Sequence, residues 1–199
     1  SGAEALKGRT HKARIIGLGH QRARGIKGGA IIDLEAAEHS IRLAIDAAER
    51  MARVEVRSVI VNMTGGRLKS EAFTAEVSLR GQGVSDGDIR RVFEAMSFTG
   101  AETGRSVLHS LPTGFAIDET RHIRDPHGMI GERLGVDMHI LTSDEYAIRN
   151  LMLAVERCHV GVEAVVASPY ASGLSSLVDD EAEMGVAVVE LGGGTTSVG

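Results

Sequence analysis

Residues 54–66 read VEVRSVIVNMTGG. The second half of the run is apolar, the pattern of a strand covered on both faces, and Thr64-Gly65-Gly66 ends it. The preceding residues, about 33–53, predict a helix. Asp33 stands at its start, and Ile41, Ala44, Ile45, Ala48 and Ala52 recur at a helical period on one face. Glu38 and Arg42, Asp46 and Arg50, and Glu49 and Arg53 stand four apart with the acid first, the favourable order for exposed pairs. Earlier still, ARIIGLG (13–19) reads as a short strand. Strand, helix and buried strand in succession point to an α/β architecture. Between the first strand and the helix lies the basic, glycine-rich run GHQRARGIKGG (19–29). Its functional reading is an anion or nucleic-acid patch; without interleaved aromatics, and with Gly25, Gly28 and Gly29 marking turns, it reads rather as a solvated strand edge and turn.

After Gly66 the rhythm changes. AFTAEVSL (72–79) alternates like a half-buried strand. Ser85 and Asp88 form a capping-box pattern, and Ile89, Val92, Phe93 and Met96 follow at helical spacing. SVLHSLPTGFAID (106–118) is strand-like but carries Pro112, which predicts a bent or edge strand. RLGVDMHILT (133–142) predicts another strand. Strand, helix, strand, strand makes a small α+β module of about 70 residues inserted in the α/β order, which is expected to behave as a separable unit.

The α/β pattern then resumes. Thr142 and Glu145 suggest a cap for a helix at about 143–158, striped by Ala147, Ile148, Leu151, Ala154, Val155 and Cys158. VEAVVAS (162–168) predicts a strand, and Ser168-Pro169 a helix start. An acidic turn at Asp179, Asp180 and Glu181 leads into VAVVELGGGTTSVG (186–199). Successive glycines let a backbone approach a phosphate closely, and their N–H groups can form an anion-binding nest. Gly192, Gly193, Gly194, Thr195 and Thr196 are therefore candidate phosphate-binding residues. Glu190, at the strand end, is a candidate for holding Mg²⁺ through water. A Walker loop is excluded because no Gly-Lys-Ser/Thr follows, and the glycine spacing does not fit a dinucleotide fingerprint.

Composition narrows the field. A net charge of −5 and an aromatic content of 3% argue against a nucleic-acid binder. No apolar run approaches the ~18 residues of a membrane-spanning helix, and the first residues do not resemble a signal peptide. Cys158, the single cysteine, reads as core packing in a reducing setting. His122, His127 and His139 cluster in sequence near Asp125 and Asp137, but without metal-site spacing they read as a solvated loop and one edge histidine. No G-x-S-x-G elbow supports serine nucleophilic catalysis.

Three tracts together resemble the FtsA family of bacterial cell-division proteins. They are KGGAIIDLEAAEHSIRLAIDAAERMA (27–52), RSVLHSLPTGFAIDETRHIRDPHGMIGERLGVDMHILT (105–142) with its Asp-Pro-x-Gly-Met-x-Gly-x-Arg-Leu run, and the tract from Ala154 to Gly199. The glycine loop is shared with the wider actin, Hsp70 and sugar-kinase superfamily. The inserted module is the more specific part.

The resemblance implies an actin-like, ribonuclease H-like fold whose two halves clamp ATP and Mg²⁺. Residues 1–69 and 143–199 would form the first actin-like subdomain, incomplete here, and residues 70–141 the inserted one. Gly192, Gly193, Gly194, Thr195 and Thr196 would be the second phosphate loop, touching the β- and γ-phosphates. Glu190 stands where the family usually has Asp. The family resemblance also implies polymerisation, binding to the tubulin-like FtsZ, and recruitment of later division proteins through the inserted subdomain. A C-terminal amphipathic helix, outside this sequence, would provide attachment to the cytoplasmic face of the inner membrane at the septum. The first phosphate loop would precede this chain, and the adenine half would follow it. A piece with one phosphate loop is expected to hold ATP poorly and not to be catalytic, ATP acting chiefly as a conformational ligand. The alternatives are an actin-like pilus-assembly protein or another ATPase or sugar kinase of the superfamily.

Overall fold

The computed structural model describes residues 14–96 and 103–199. In chain order the elements are β1 (Ile26–Lys27), β2 (Ala30–Ile31), α1 (Leu34–Ala52), β3 (Ser58–Met63), β4 (Lys69–Ser78), α2 (Asp86–Ala95), β5 (Arg105–Ile117), β6 (Thr120–Ile123), β7 (Arg133–Asp144), α3 (Glu145–Glu156), β8 (Gly161–Ala167), α4 (Ser168–Ser176), α5 (Asp179–Met184), β9 (Val189–Leu191) and β10 (Thr196–Val198).

The α/β region is organised around β3 and β8, which pair in parallel. Asp33 caps α1 by accepting from the Ala36 N–H at 3.0 Å. Glu38 holds Arg42 at 2.6 Å and Arg157 at 2.8 Å, tying α1 to the end of α3, on which it packs. The strand expected at 13–19 begins outside the described residues, and from Arg14 to Arg24 the chain forms no strand. This segment instead lies against α1: a Cβ on Gly19 would stand 1.8 Å from the Ala44 carbonyl oxygen, and one on Gly17 2.4 Å from that of Ala48. It thus packs without a ladder partner. β3 also departs from the sequence reading. Val59 and Val61 are half-buried while Ile60 is 64% exposed, so among the described residues only one face of the strand is covered.

The inserted module is a four-stranded antiparallel sheet in the order β4-β7-β5-β6, with α2 across β4 and β7. Val92, Leu134 and Val136 are fully buried at its centre, with Met138 and Ile140 beside them. The Ser85–Asp88 capping box forms. Its hydrogen bonds, together with Arg91, pull the Asp88 carboxyl down to about 2, the Ser85 hydroxyl contributing most. Pro112 is not on an edge strand: β5 pairs with β7 along its length and with β6 near its end. The four-residue β6 reaches only Phe115 and Ile117, so the missing Pro112 N–H costs no ladder bond on that side, and the register shifts between Pro112 and Gly114. β6 was not legible in the sequence, because its turn is Asp118-Glu119, with Asp118 at φ 52, rather than a glycine turn.

Two helix starts also differ from the sequence reading. β7 runs on to Asp144, whose side chain caps α3 by accepting from the Tyr146 and Ala147 N–H groups. Thr142 is instead buried in the strand and accepts from Arg105 Nε at 2.9 Å. Ser168 lies inside α4, after an Ala167 cap. The acidic turn is the short helix α5.

Candidate functional site

β9 and β10 form a hairpin in which Glu190 faces Ser197. Its loop, Gly192–Thr195, closes with the Gly192 N–H donating to the Thr195 carbonyl at 2.9 Å. Only three residues before the glycines are in the strand, although the apolar run begins at Val186.

Two other glycine turns converge on this loop. The β1–β2 turn, Gly28-Gly29, has both residues in the left-handed region, at φ +55 and +71, where glycine alone is unstrained. It rests on the turn after β3. A Cβ on Gly29 would stand 2.6 Å from the Gly65 nitrogen, and one on Gly194 would stand 3.5 Å from the Gly28 nitrogen. A cavity of about 590 Å³ opens between the turns. Gly192, Gly193, Gly194, Thr195 and Glu190 line it from one side, and Lys27, Gly28, Gly29 and Thr64 from the other. The structure therefore brings four of the five proposed phosphate-loop residues together with Glu190. Thr196 starts β10, paired with Leu191, and is not among the lining residues. Lys27, Gly28, Gly29 and Thr64 were missed as site residues. The available signal was the recurrence of a glycine pair at successive strand ends, at 28–29 and 65–66 as well as 192–194.

Glu190 is half-buried. Its Oε1 accepts from the Ser172 hydroxyl of α4 at 3.1 Å, and its Oε2 is buried without a protein partner. Such an oxygen is normally matched by a water or an ion. A carboxylate oxygen of this kind, beside a loop where added side chains would fill the space, fits a hydrated divalent cation held with an anion.

The histidines do not assemble. His139 Nε2 lies 3.1 Å from the Ser70 hydroxyl on the sheet. His127 bridges Asp125, at 2.6 Å, and Asp86, at 2.8 Å. Among the described residues no group of three or more His, Cys, Asp or Glu side chains could hold a metal. Cys158 is half-buried, with its Sγ 3.4 Å from the Glu38 carbonyl oxygen, and burial pushes its thiol pKa up. Such a thiol is a poor nucleophile. A second, apolar cavity of about 740 Å³ lies between the inserted sheet and α4, lined by Leu111, Leu141, Tyr170 and Leu177 among others. No helix of the described residues is long and apolar enough to cross a membrane.

In overall fold the chain is similar to the PilM–PilN type IV pilus biogenesis complex, with a TM-score of 0.53 and 12% identity over 87% of this chain and 46% of that one. The architecture is an actin-like α/β fold interrupted by an inserted α+β module. The family profile described as "SHS2 domain inserted in FTSA" matches residues 65–142. Cell division protein FtsA of Rhizobium meliloti is 52% identical over 98% of the chain, and that of Agrobacterium fabrum 54% over the same share. FtsA of Escherichia coli is 33% identical over 92%. The chain belongs to the FtsA family of cell-division proteins. It spans about 44% of the length of these relatives.

Proposed function

We propose that this chain supplies one jaw of a nucleotide clamp in an actin-like cell-division scaffold. That scaffold binds ATP with Mg²⁺, polymerises, tethers FtsZ to the cytoplasmic face of the inner membrane at the septum, and recruits later division proteins through the inserted module. The observation that carries the reading is the convergence of the Gly192–Thr195 loop, Glu190 and the Gly28-Gly29 turn on one cavity, in a chain of the FtsA family. The glycine loop would hold phosphate oxygens through its N–H groups. Glu190, fixed by Ser172, would hold a water of the Mg²⁺ shell through Oε2. In such a scaffold ATP is a ligand that favours one conformation, and its hydrolysis is incidental. The Mg²⁺, when bound, neutralises phosphate charge.

The test is sedimentation of the full-length protein with FtsZ and vesicles. Co-pelleting of FtsZ that requires both the protein and ATP is expected. FtsZ left in the supernatant under all conditions overturns the tethering role. Co-pelleting indifferent to ATP, and unchanged by Gly193→Val, overturns the nucleotide role.

A further inference from the structure

We propose that Lys27 is the cation that grips the phosphate chain from the wall opposite the glycine loop. The inference rests on the phosphate-site reading given above, and it assigns a residue on the far wall. Within the basic run, Lys27 closes the β1–β2 hairpin, paired with Ala30. Gly29, pressed on Gly65, fixes where that hairpin stands. Gly28 meets Gly194 across the cavity, so the two turns form its two lips.

The charges lining the cavity decide the ligand. Among the described lining residues Lys27 is the one cation and Glu190 the one carboxylate, and the glycine loop contributes backbone N–H groups. A lone anion would meet Glu190 as a repulsive neighbour. A lone divalent cation would meet Lys27 and the amides. A metal-bound polyphosphate satisfies both, its metal toward Glu190 and its oxygens toward Lys27 and the loop. The described lining residues offer charge and backbone N–H groups, which suit a phosphate chain. A lysine ammonium is a point charge suited to that task. The hairpin also runs directly into α1 through the Ile32 and Asp33 N–H bonds to the Gly25 carbonyl, at 2.8 and 3.2 Å. Phosphate contact at Lys27 would therefore reach the helix start.

The experiment is an amide shift titration of the isotope-labelled full-length protein with magnesium tripolyphosphate at two salt concentrations. Weak binding is expected, with shifts at Gly192–Thr195 and at Gly28-Gly29. Lys27→Gln is expected to weaken it about tenfold, the scale of one lost charge-assisted contact, and to flatten the salt dependence. Lys27→Arg is expected to restore most of the affinity. Because Lys27 is exposed, the variants keep the fold, which the unchanged α1 amides verify. If Lys27→Gln binds as tightly as the parent while the loop amides still shift, the assignment of Lys27 is overturned and the phosphate site stands. If the parent shows no shift at Gly192–Thr195, the phosphate-site reading fails, and this inference with it.

Discussion

Leu134 of the inserted module is fully buried, whereas Ile60 on β3 of the α/β region is 64% exposed, although both sit within strands of apolar character. In the module, four strands and α2 surround one core, and Leu134, Val136, Met138 and Ile140 of β7 all find neighbours there. Among the described residues the sheets of the α/β region have two strands each, and Leu191 on the β9–β10 hairpin is 80% exposed. Two strands cannot bury both faces of an apolar run, because burial needs a covering layer on each side. The module therefore buries a core of its own. The α/β region leaves these apolar side chains exposed, in a chain that spans about 44% of its relatives' length.

The comparison breaks most sharply at these two positions, one buried and one exposed. Leu134→Ala is expected to cost about 2–5 kcal/mol, read as a lower urea midpoint for the module's unfolding. Ile60→Ala, at an exposed site, should move stability by no more than about 0.5 kcal/mol. Equal effects would mean that the α/β region is packed as tightly as the module. The next largest effect is expected at the neck between the regions. Asp144 N–H and Ser143 Oγ both donate to the Gly66 carbonyl at 2.8 Å. Gly66 has φ +80, and a Cβ there would stand 2.2 Å from Met63 Cε and 2.4 Å from Ser143 Oγ. Gly66→Ala should destabilise by about 1–3 kcal/mol and speed hydrogen exchange at the Asp144 amide. Unchanged exchange there would show a neck that yields without loss.

Much of this was legible because the signals were local. The α1 stripe, the Ser85–Asp88 box and the alternation of β4 each declare one element within a short window. What failed depended on partners remote in sequence. Residues 14–19 have strand character, but no ladder partner exists among the described residues and α1 takes them instead. Pro112 suggested a bent or edge strand: the register does shift beside it, and although β5 is an inner strand, β6 is too short to need its N–H. At the site, Glu190 and the glycine loop stood out because three glycines follow an apolar run. Lys27, Gly28 and Gly29 did not, because their role comes from meeting a loop more than 160 residues away.

His109 joins the two regions and gives a smaller, pH-dependent effect. On β5, its Nε2 accepts from the Ala167 N–H at 2.9 Å, and its ring lies tilted against that of Tyr170 of α4, the centroids 4.8 Å apart. Accepting requires Nε2 to be unprotonated, and burial holds the imidazole pKa below its ordinary value. The unfolded chain binds this proton more readily, so the contact's contribution is full above the ordinary histidine value and is lost as pH falls through the folded one. Acidification is expected to lower the protection factor of the Ala167 amide, its exchange measured against the intrinsic rate at each pH, and to loosen the module from α4. His109→Phe keeps a ring but removes the acceptor, and its Ala167 exchange should be fast at every pH. If Ala167 exchange in the parent shows no acid-linked step, His109 does not couple the regions.

The smallest expected effect has the opposite sign and stays inside the module. His127 has one ring nitrogen 2.8 Å from Asp86, at the start of α2, and the other 2.6 Å from Asp125 in its own loop. A neutral imidazole has only one N–H, so it would turn a lone pair toward one of the carboxylates. The arrangement therefore selects the imidazolium. The hydrogen bond from Asp86 first, then that from Asp125, raises the His127 pKa above its ordinary value, while His127 lowers that of Asp125. Stabilisation from this pair is complete below the ordinary histidine value and is lost as pH rises through the raised one. All three groups are substantially exposed, so solvent screens the gain. The effect should therefore appear in the histidine titration and barely in the unfolding midpoint. Asp86→Asn is expected to lower the His127 midpoint more than Asp125→Asn does, and neither should shift the His109 titration. If the two aspartates prove equivalent, or the parent His127 titrates at its ordinary value, the loop carrying Asp125 does not hold the ring against α2. The backbone bonds of Val84 to Met129 and Gly128 would then fix that loop alone.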